Sequence, residues 1–409
     1  MGAGGFGERG SWAVWTLVAC LMMTAATLAT GCASDEAAGE ESGQAATVPF
    51  PGRLVFTDGT DIVALDGQTG ETARIGAVDG EIGWSGFERL TAEGQVIYES
   101  LSGAESRLLM TGDGAENRVL ASDVSLLHHF SDDTVLASDT DDTFTAASAG
   151  NEPRRLGVGP SLDGILSSDR TEFLYVAAVP SDDATTSVGE PAQAAFVRAL
   201  DGTGTGEQVA TGSFAILPLT LDARAVVYAA HPFGGSDEAD IVLYDRRSTE
   251  ETIVASGVRV LDTDAHRGLI AVQSLADGER ISIIDVHDPA AVTTTVFDQP
   301  SSGVASWGRL TGSGGSIIVA FTHGSSASLV RYDAADRSSQ QIAMLDGFLV
   351  NQLLVHPGAP VSFVLLERIA TTEGAADRSI AVCDLASAKI ETLVDVANGA
   401  SLRLIGVID

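Results

Sequence analysis

The residues best equipped for chemistry are few. His128 and His129 stand side by side in LLHHF, Asp139-Thr140-Asp141-Asp142 places three carboxylates in four positions, and Cys383 is one of three cysteines in 409 residues. Neighbouring side chains on a strand point to opposite faces. One histidine of the pair is therefore expected in the packed interior and one in solvent, with metal ligation as the sharper alternative. The acidic run has the density of a calcium loop but lacks glycine at its sixth place and glutamate at its twelfth, so it reads as a solvated hairpin tip. His231, His266, His287, His323 and His356 share no spacing, and no GxSxG, HExxH, CxxC, phosphate-loop or EF-hand pattern occurs. No catalytic residue and no cofactor is assigned on these grounds. Calcium is the one ion the acidic composition would suit.

Carboxylates also gather in long connections. PSDDATTSVGEPAQ, from Pro180 to Gln193, carries Asp182, Asp183 and Glu190; HPFGGSDEAD carries His231, Phe233, Asp237, Glu238 and Asp240. A third insertion, ATTEGAADR, runs from Ala370 to Arg378. Long loops on a rigid scaffold are where binding concentrates. If the first two loops are neighbours, they form an acidic rim with Phe233 as its aromatic. The formal charge of the chain is −33, and Lys389 is its only lysine. Such a body repels nucleic acid and anionic membrane surfaces and attracts a cationic partner or a divalent metal.

These loops must be positioned by strands, and the strands repeat. Apolar β-runs ending in aspartate recur at Asp66, Asp201, Asp245, Asp285, Asp333 and Asp384, with spacings of 135, 44, 40, 48 and 51 residues. The first spacing is close to three of the others, which leaves room for two degenerate copies. A period of about 40 to 50 residues with several strands per unit is the signature of a β-propeller. Eight units are counted, with seven as the alternative, beginning at Leu54, Val96, Val135, Phe173, Val226, Leu269, Ile317 and Phe363. The C-terminal SLRLIGVID is left over, and is expected to close the ring by completing the first unit, with Leu402, Leu404 and Ile408 alternating inward. Each aspartate is expected to form its turn by accepting backbone N–H groups.

Residues 1–31 read as a signal peptide: residues 12–31 are apolar and end in Leu-Ala-Thr-Gly directly before Cys32. Residues 32–52, rich in Ala, Gly, Ser and Glu, are read as a flexible acidic tether, and residues 53–409 as the propeller domain. Removing Glu8 and Arg9 with the signal leaves the net charge unchanged. Cys383 is left without a partner, as a small buried hydrophobe.

The N-terminus resembles a bacterial lipoprotein signal, which implies lipidation of Cys32. With Ala33 after it, the resemblance implies a lipid-anchored envelope protein at the outer membrane. Trp84-Ser85-Gly86 and Ser306-Trp307-Gly308 resemble the inner-strand tryptophan turn of TolB-like, WD-repeat-like propellers. Ala64-Leu65-Asp66-Gly67-Gln68-Thr69-Gly70 is similar to the repeat of quinoprotein-type eight-bladed propellers, a group that includes the outer-membrane assembly lipoprotein BamB. That group's regular docking tryptophans are absent here, so no quinone is expected.

With a large surface and no reactive constellation, the expected function is a monomeric, non-catalytic scaffold that binds protein or glycan. The alternative is a propeller hydrolase or lactonase with a calcium site at the channel mouth.

Overall fold

In the computed structural model the described residues are 48–408, apart from 83–88, 103–104, 113–115, 132, 148–151, 180–191, 205, 234–236, 275–279, 299–303, 313–314, 369–376 and 397–400. The chain divides into two compact units, Met1–Ser42 and Gly43–Asp409, and all described residues belong to the second. The signal segment and Cys32 lie outside them.

Every regular element among the described residues is a β-strand, arranged in seven antiparallel sheets. Five sheets have four strands and a sixth has five, its innermost position being shared by Glu81–Ile82 and Arg89–Leu90. The seventh has seven strands, because the 15-residue strand Glu250–Asp264 ends one meander and begins the next. The expected apolar runs all fall in the second strand of a meander, for example Ala225–Pro232, Ser316–His323 and Val361–Arg368. These strands pack against neighbouring sheets on both faces, so they are continuously apolar instead of alternating. Ile317, Ile318, Val319, Ala320 and Phe321 are all buried without a break.

Hydrophobic clusters join one sheet to the next, except one that packs the two meanders of the seven-stranded sheet on each other. Ile318 and Leu329 meet Val364 and Ala381 in one, while Phe363 and Val382 meet Leu54, Leu65 and Leu402 in another, so the last sheet packs on the first. The C-terminal strand Arg403–Ile408 pairs antiparallel with Arg53–Thr57, Val55 opposite Gly406 and Phe56 opposite Leu404. The expected strict alternation fails there. A bulge at Ile405 interrupts the register, so Leu404 and Ile405 are both buried while Ile408 is only half-buried.

The boundary at residue 52 also shifts. Val48 and Phe50 are buried; the Phe50 ring lies edge-on to Phe363 at 4.9 Å, and Phe50 N donates to Gly67 O. His356 Nε2 lies 2.9 Å from Pro51 O, so the end of the supposed tether is part of the packed body.

All six repeat aspartates form the expected turns. Asp66 Oδ1 accepts from Gln68 N and Thr69 N, Asp245 from Arg247 N and Ser248 N, and Asp384 from Ala386 N and Ser387 N. Asp201, Asp285 and Asp333 accept from the residue two positions on. Bonds to the ionised carboxylate hold all three of Asp66, Asp201 and Asp384 below the usual range, chiefly Thr69 N for Asp66, the Thr203 hydroxyl for Asp201 and the Ser387 hydroxyl for Asp384.

Candidate functional site: the start of the inner strands

In a meander, the first strand starts at the same end where the second runs into the third. Val179, Ala192, Pro232 and Ala239, the strand ends flanking the long connections, therefore share an end with the starts of the inner strands Leu126–Ser131, Asp163–Leu166 and Phe214–Leu221. At this end two neighbouring sheets assemble a polar cluster from residues distant in sequence.

His128 is its centre, with 2% of its side chain exposed. Its Nε2 lies 2.8 Å from Ser138 Oγ and 3.0 Å from Ser161 Oγ. Ser161 N donates towards Ser138 Oγ and Thr143 Oγ1, and the Thr143 hydroxyl donates to Gly159 O at 2.7 Å. On the other side of the ring, Nδ1 is 4.0 Å from Asp163 Oδ1. When Nε2 accepts a serine proton, Nδ1 carries the hydrogen and turns it towards the carboxylate. Burial disfavours the imidazolium and pushes His128 down to about 4, so the ring is neutral at physiological pH.

Asp163 opens the strand DGIL, where the corresponding positions of most inner strands are apolar. Burial pushes its carboxyl up to about 7, against the opposing effect of Gly164 N, which donates to Oδ1 at 2.7 Å. Even so, 29% of its side chain reaches solvent. A carboxyl that reaches solvent and whose pKa is raised towards neutrality is suited to taking and returning a proton. Ser138 and Ser161 are buried, so they hold the imidazole instead of presenting a nucleophile.

His129 is also largely withdrawn from water and is pushed down to about 4, mainly by burial and then by Arg89 and His266. The expectation of one packed and one wet histidine is thus corrected: His129 Nδ1 accepts Leu166 N at 3.3 Å and clasps the next inner strand. The solvated hairpin tip holds for Thr140 and Asp141, which are exposed, but is corrected for Asp139. Asp139 is buried, accepts from Asp141 N and Asp142 N, and pairs with Arg155 Nη2 at 2.6 Å. Asp142 accepts from Gly157 N and Val158 N and braces the approach to Ser161. Among the described residues no group of three or more His, Cys, Asp or Glu side chains is arranged to hold a metal ion.

Of the rim residues, Asp182, Asp183 and Glu190 lie outside the described residues. Asp237 is exposed, but Arg259 Nη2 stands 3.9 Å from it, so the rim is not purely acidic. Asp240 Oδ1 accepts Gly257 N, which fixes a backbone turn. Burial lowers the pKa of His231, an effect partly offset by Asp237, and Phe233 and Glu238 are half-buried. Cys383 is a buried free thiol pushed up to about 12 by burial.

No family model matches the chain, and no curated protein matches its sequence. Solved structures do resemble it. A eukaryotic initiation factor aligns at 12% identity and a TM-score of 0.56, over 87% of this chain and 89% of that one. Prolyl oligopeptidase B from Galerina marginata aligns at 11% identity and a TM-score of 0.52, over 78% of this chain and 51% of the enzyme. A structure assigned as TolB from Agrobacterium tumefaciens is also among the matches, at 13% identity and a TM-score of 0.35, over 69% of this chain and 85% of that one. The likeness shows a propeller-like fold. Peptidases recur among the matches, and the chain spans about half their length. Their recurrence runs against the expectation of a non-catalytic scaffold, while the likeness itself, at 11–12% identity, shows the fold alone.

Proposed function

We propose that this chain is a hydrolase built on an eight-bladed, closed propeller, with Asp163 as the general base at the mouth of its central channel. The observation that carries the reading is Asp163 itself: a solvent-reaching carboxyl on an inner strand, held near neutral pKa by burial and faced by the neutral His128 ring. In the reaction, the Asp163 carboxylate takes a proton from water while the water oxygen bonds to the carbonyl carbon of an ester or amide. Asp163 then returns that proton to the leaving oxygen or nitrogen as the bond to carbon breaks. His128 is a positioning residue, held by Ser138 and Ser161.

Eight blades follow if the strand Glu250–Asp264 is divided between two meanders. Pairing of the terminal strands and the shared Phe363–Leu54 cluster support a closed ring. The recurrence of peptidases among propellers of this shape favours hydrolysis over passive binding. Lipidation at Cys32 would hold the enzyme in the cell envelope, at the outer membrane, and the acidic rim would favour cationic partners and substrates.

The test is a panel of para-nitrophenyl esters and chromogenic peptides offered to the purified mature protein, to Asp163→Asn and to His128→Gln. Hydrolysis abolished by Asp163→Asn and reduced by His128→Gln supports the reading; hydrolysis equal in all three, or absent from the wild type, refutes it.

A further inference from the structure

Asp142 stands in the connection between the strands Thr134–Ser138 and Thr143–Ala147, and its carboxylate gathers four backbone N–H groups. Oδ1 accepts Thr143 N at 2.8 Å, Val158 N at 3.0 Å and Gly159 N at 3.2 Å, and Oδ2 accepts Gly157 N at 3.0 Å. Gly157, Val158 and Gly159 are consecutive in the segment that crosses from the strand Arg154–Arg155 to the inner strand Asp163–Leu166 of the next sheet. Gly157 and Gly159 have φ of 66° and 73°, which favours glycine, and successive N–H groups turn to one side. A backbone nest of this kind receives an anion, and here the anion is the protein's own carboxylate.

This clasp reaches the His128 cluster through hydroxyl groups. The Gly159 carbonyl can only accept, and it takes the Thr143 hydroxyl hydrogen at 2.7 Å. Thr143 Oγ1 in turn accepts Ser161 N at 3.1 Å and lies 3.0 Å from Ser138 Oγ. With its hydrogen drawn off to Gly159, Thr143 offers none to the serines, and a serine hydroxyl is free to donate to His128 Nε2. The ring then carries its hydrogen on Nδ1, on the side of Asp163 Oδ1.

We infer that Asp142 is a positioning residue of this site: by fixing the crossing segment it places the Gly159 carbonyl and Ser161, and through them sets the ring orientation and tautomer that present His128 Nδ1–H to Asp163. The inference deepens the hydrolase reading, on which its kinetic part rests, while its tautomeric part rests on the contacts around the ring. His129 supplies the contrast. Its Nδ1 accepts Leu166 N, so its hydrogen sits on Nε2, and the two neighbouring histidines hold opposite tautomers.

Long-range proton–nitrogen NMR spectra of the imidazoles at neutral pH distinguish the two tautomers and test the inference. The wild type should show one ring of each kind. Asp142→Ala should convert His128 to a mixture and leave His129 unchanged, and kcat/KM for a para-nitrophenyl ester should fall about tenfold or more, through kcat with KM little altered. Asp142→Asn keeps the oxygen that serves Thr143, Val158 and Gly159, and should retain the His128 signal. Ser161→Ala should produce the same tautomer change as Asp142→Ala, and the double variant should lose no further activity, because both act on one link. A melting point lowered by Asp142→Ala with the His128 signal unchanged would make Asp142 a structural clamp alone and overturn the inference. Where Asp142→Ala does not fold, Thr143→Val decides: it keeps the shape and removes the hydroxyl, so an unchanged His128 signal there is equally fatal. A tautomer change in a protein whose wild type hydrolyses nothing keeps the positioning role and removes the hydrolase. Hydrolysis that depends on Asp163 with an unaltered His128 tautomer removes the positioning role alone.

Discussion

Gln352 Oε1 accepts the backbone N–H of Leu404 at 2.7 Å, and this bond ties the last inner strand to the C-terminal strand. The same kind of clasp recurs at other seams, where Gln193 accepts Ile216 N, Gln273 accepts Ala305 N and Asp262 accepts Leu310 N. An inner strand is the free edge of its own sheet, so its outward N–H groups are left unpaired there. A side chain reaching across from the neighbouring sheet satisfies them. Gln352→Leu should cost about 1–3 kcal/mol, because it strands a buried donor, and deleting residues 401–409 should cost far more. Denaturant melts of both variants check this. A truncated chain that unfolds at the same midpoint as the intact one contradicts the closure.

Asp163 and the two histidines give opposite pH limbs. The folded-state pKa of Asp163 is raised from 3.8 to about 7, so its stabilising contribution is complete below about pH 4 and is lost as pH rises through 7. His128 and His129 are lowered from 6.5 to about 4, so theirs is complete above pH 6.5 and is lost as pH falls towards 4. Asp163→Asn should leave only the acid limb and stabilise the protein at alkaline pH by on the order of 2–4 kcal/mol. Thermal melts from about pH 4 to 8 provide the comparison. A variant less stable than the wild type at alkaline pH would show that Asp163 is not held protonated by its surroundings.

The repeat was legible because its signals are local. Asp66, Asp245 and Asp384 act on residues two and three positions away, and apolar second strands such as Ser316–His323 carry their burial in composition. The polar cluster around His128 was not legible for the opposite reason. His128 and Ser161 are 33 residues apart and meet only because two sheets pack along a seam. Periodicity says which positions face a seam, not which partners meet there. One signal was available: an aspartate opening an inner strand, where hydrophobic residues are the rule. His129 misled for a related reason, since alternation predicts which face a side chain takes but not that the second face is also closed by a neighbouring strand.

The acidic rim should act on rates. Replacing Asp182, Asp183 and Asp237 with Asn and Glu238 with Gln should lower kcat/KM for a cationic ester, flatten its decline with salt and leave melting unchanged, because exposed charges are screened over about 8 Å at physiological ionic strength. Arg259 beside Asp237 limits the effect. An unchanged salt dependence in stopped-flow measurements would reduce the rim to a solvated surface.

Cys32→Ser should leave a larger precursor that takes up no labelled palmitate and no longer fractionates with membranes. Unchanged labelling would dismiss the lipid anchor while leaving the propeller chemistry untouched.

The central claim is that Asp163 performs acid–base work at the channel mouth, and the pH profile of kcat/KM for an apolar ester addresses it most directly. With the wild type, the rate should rise with pH through an apparent pKa near 7 as the carboxylate forms, and that limb should vanish in Asp163→Asn along with at least a hundredfold of activity, the scale of a lost general base. A limb near 7 that persists in Asp163→Asn, or a wild-type rate that is flat across this range, would contradict the account.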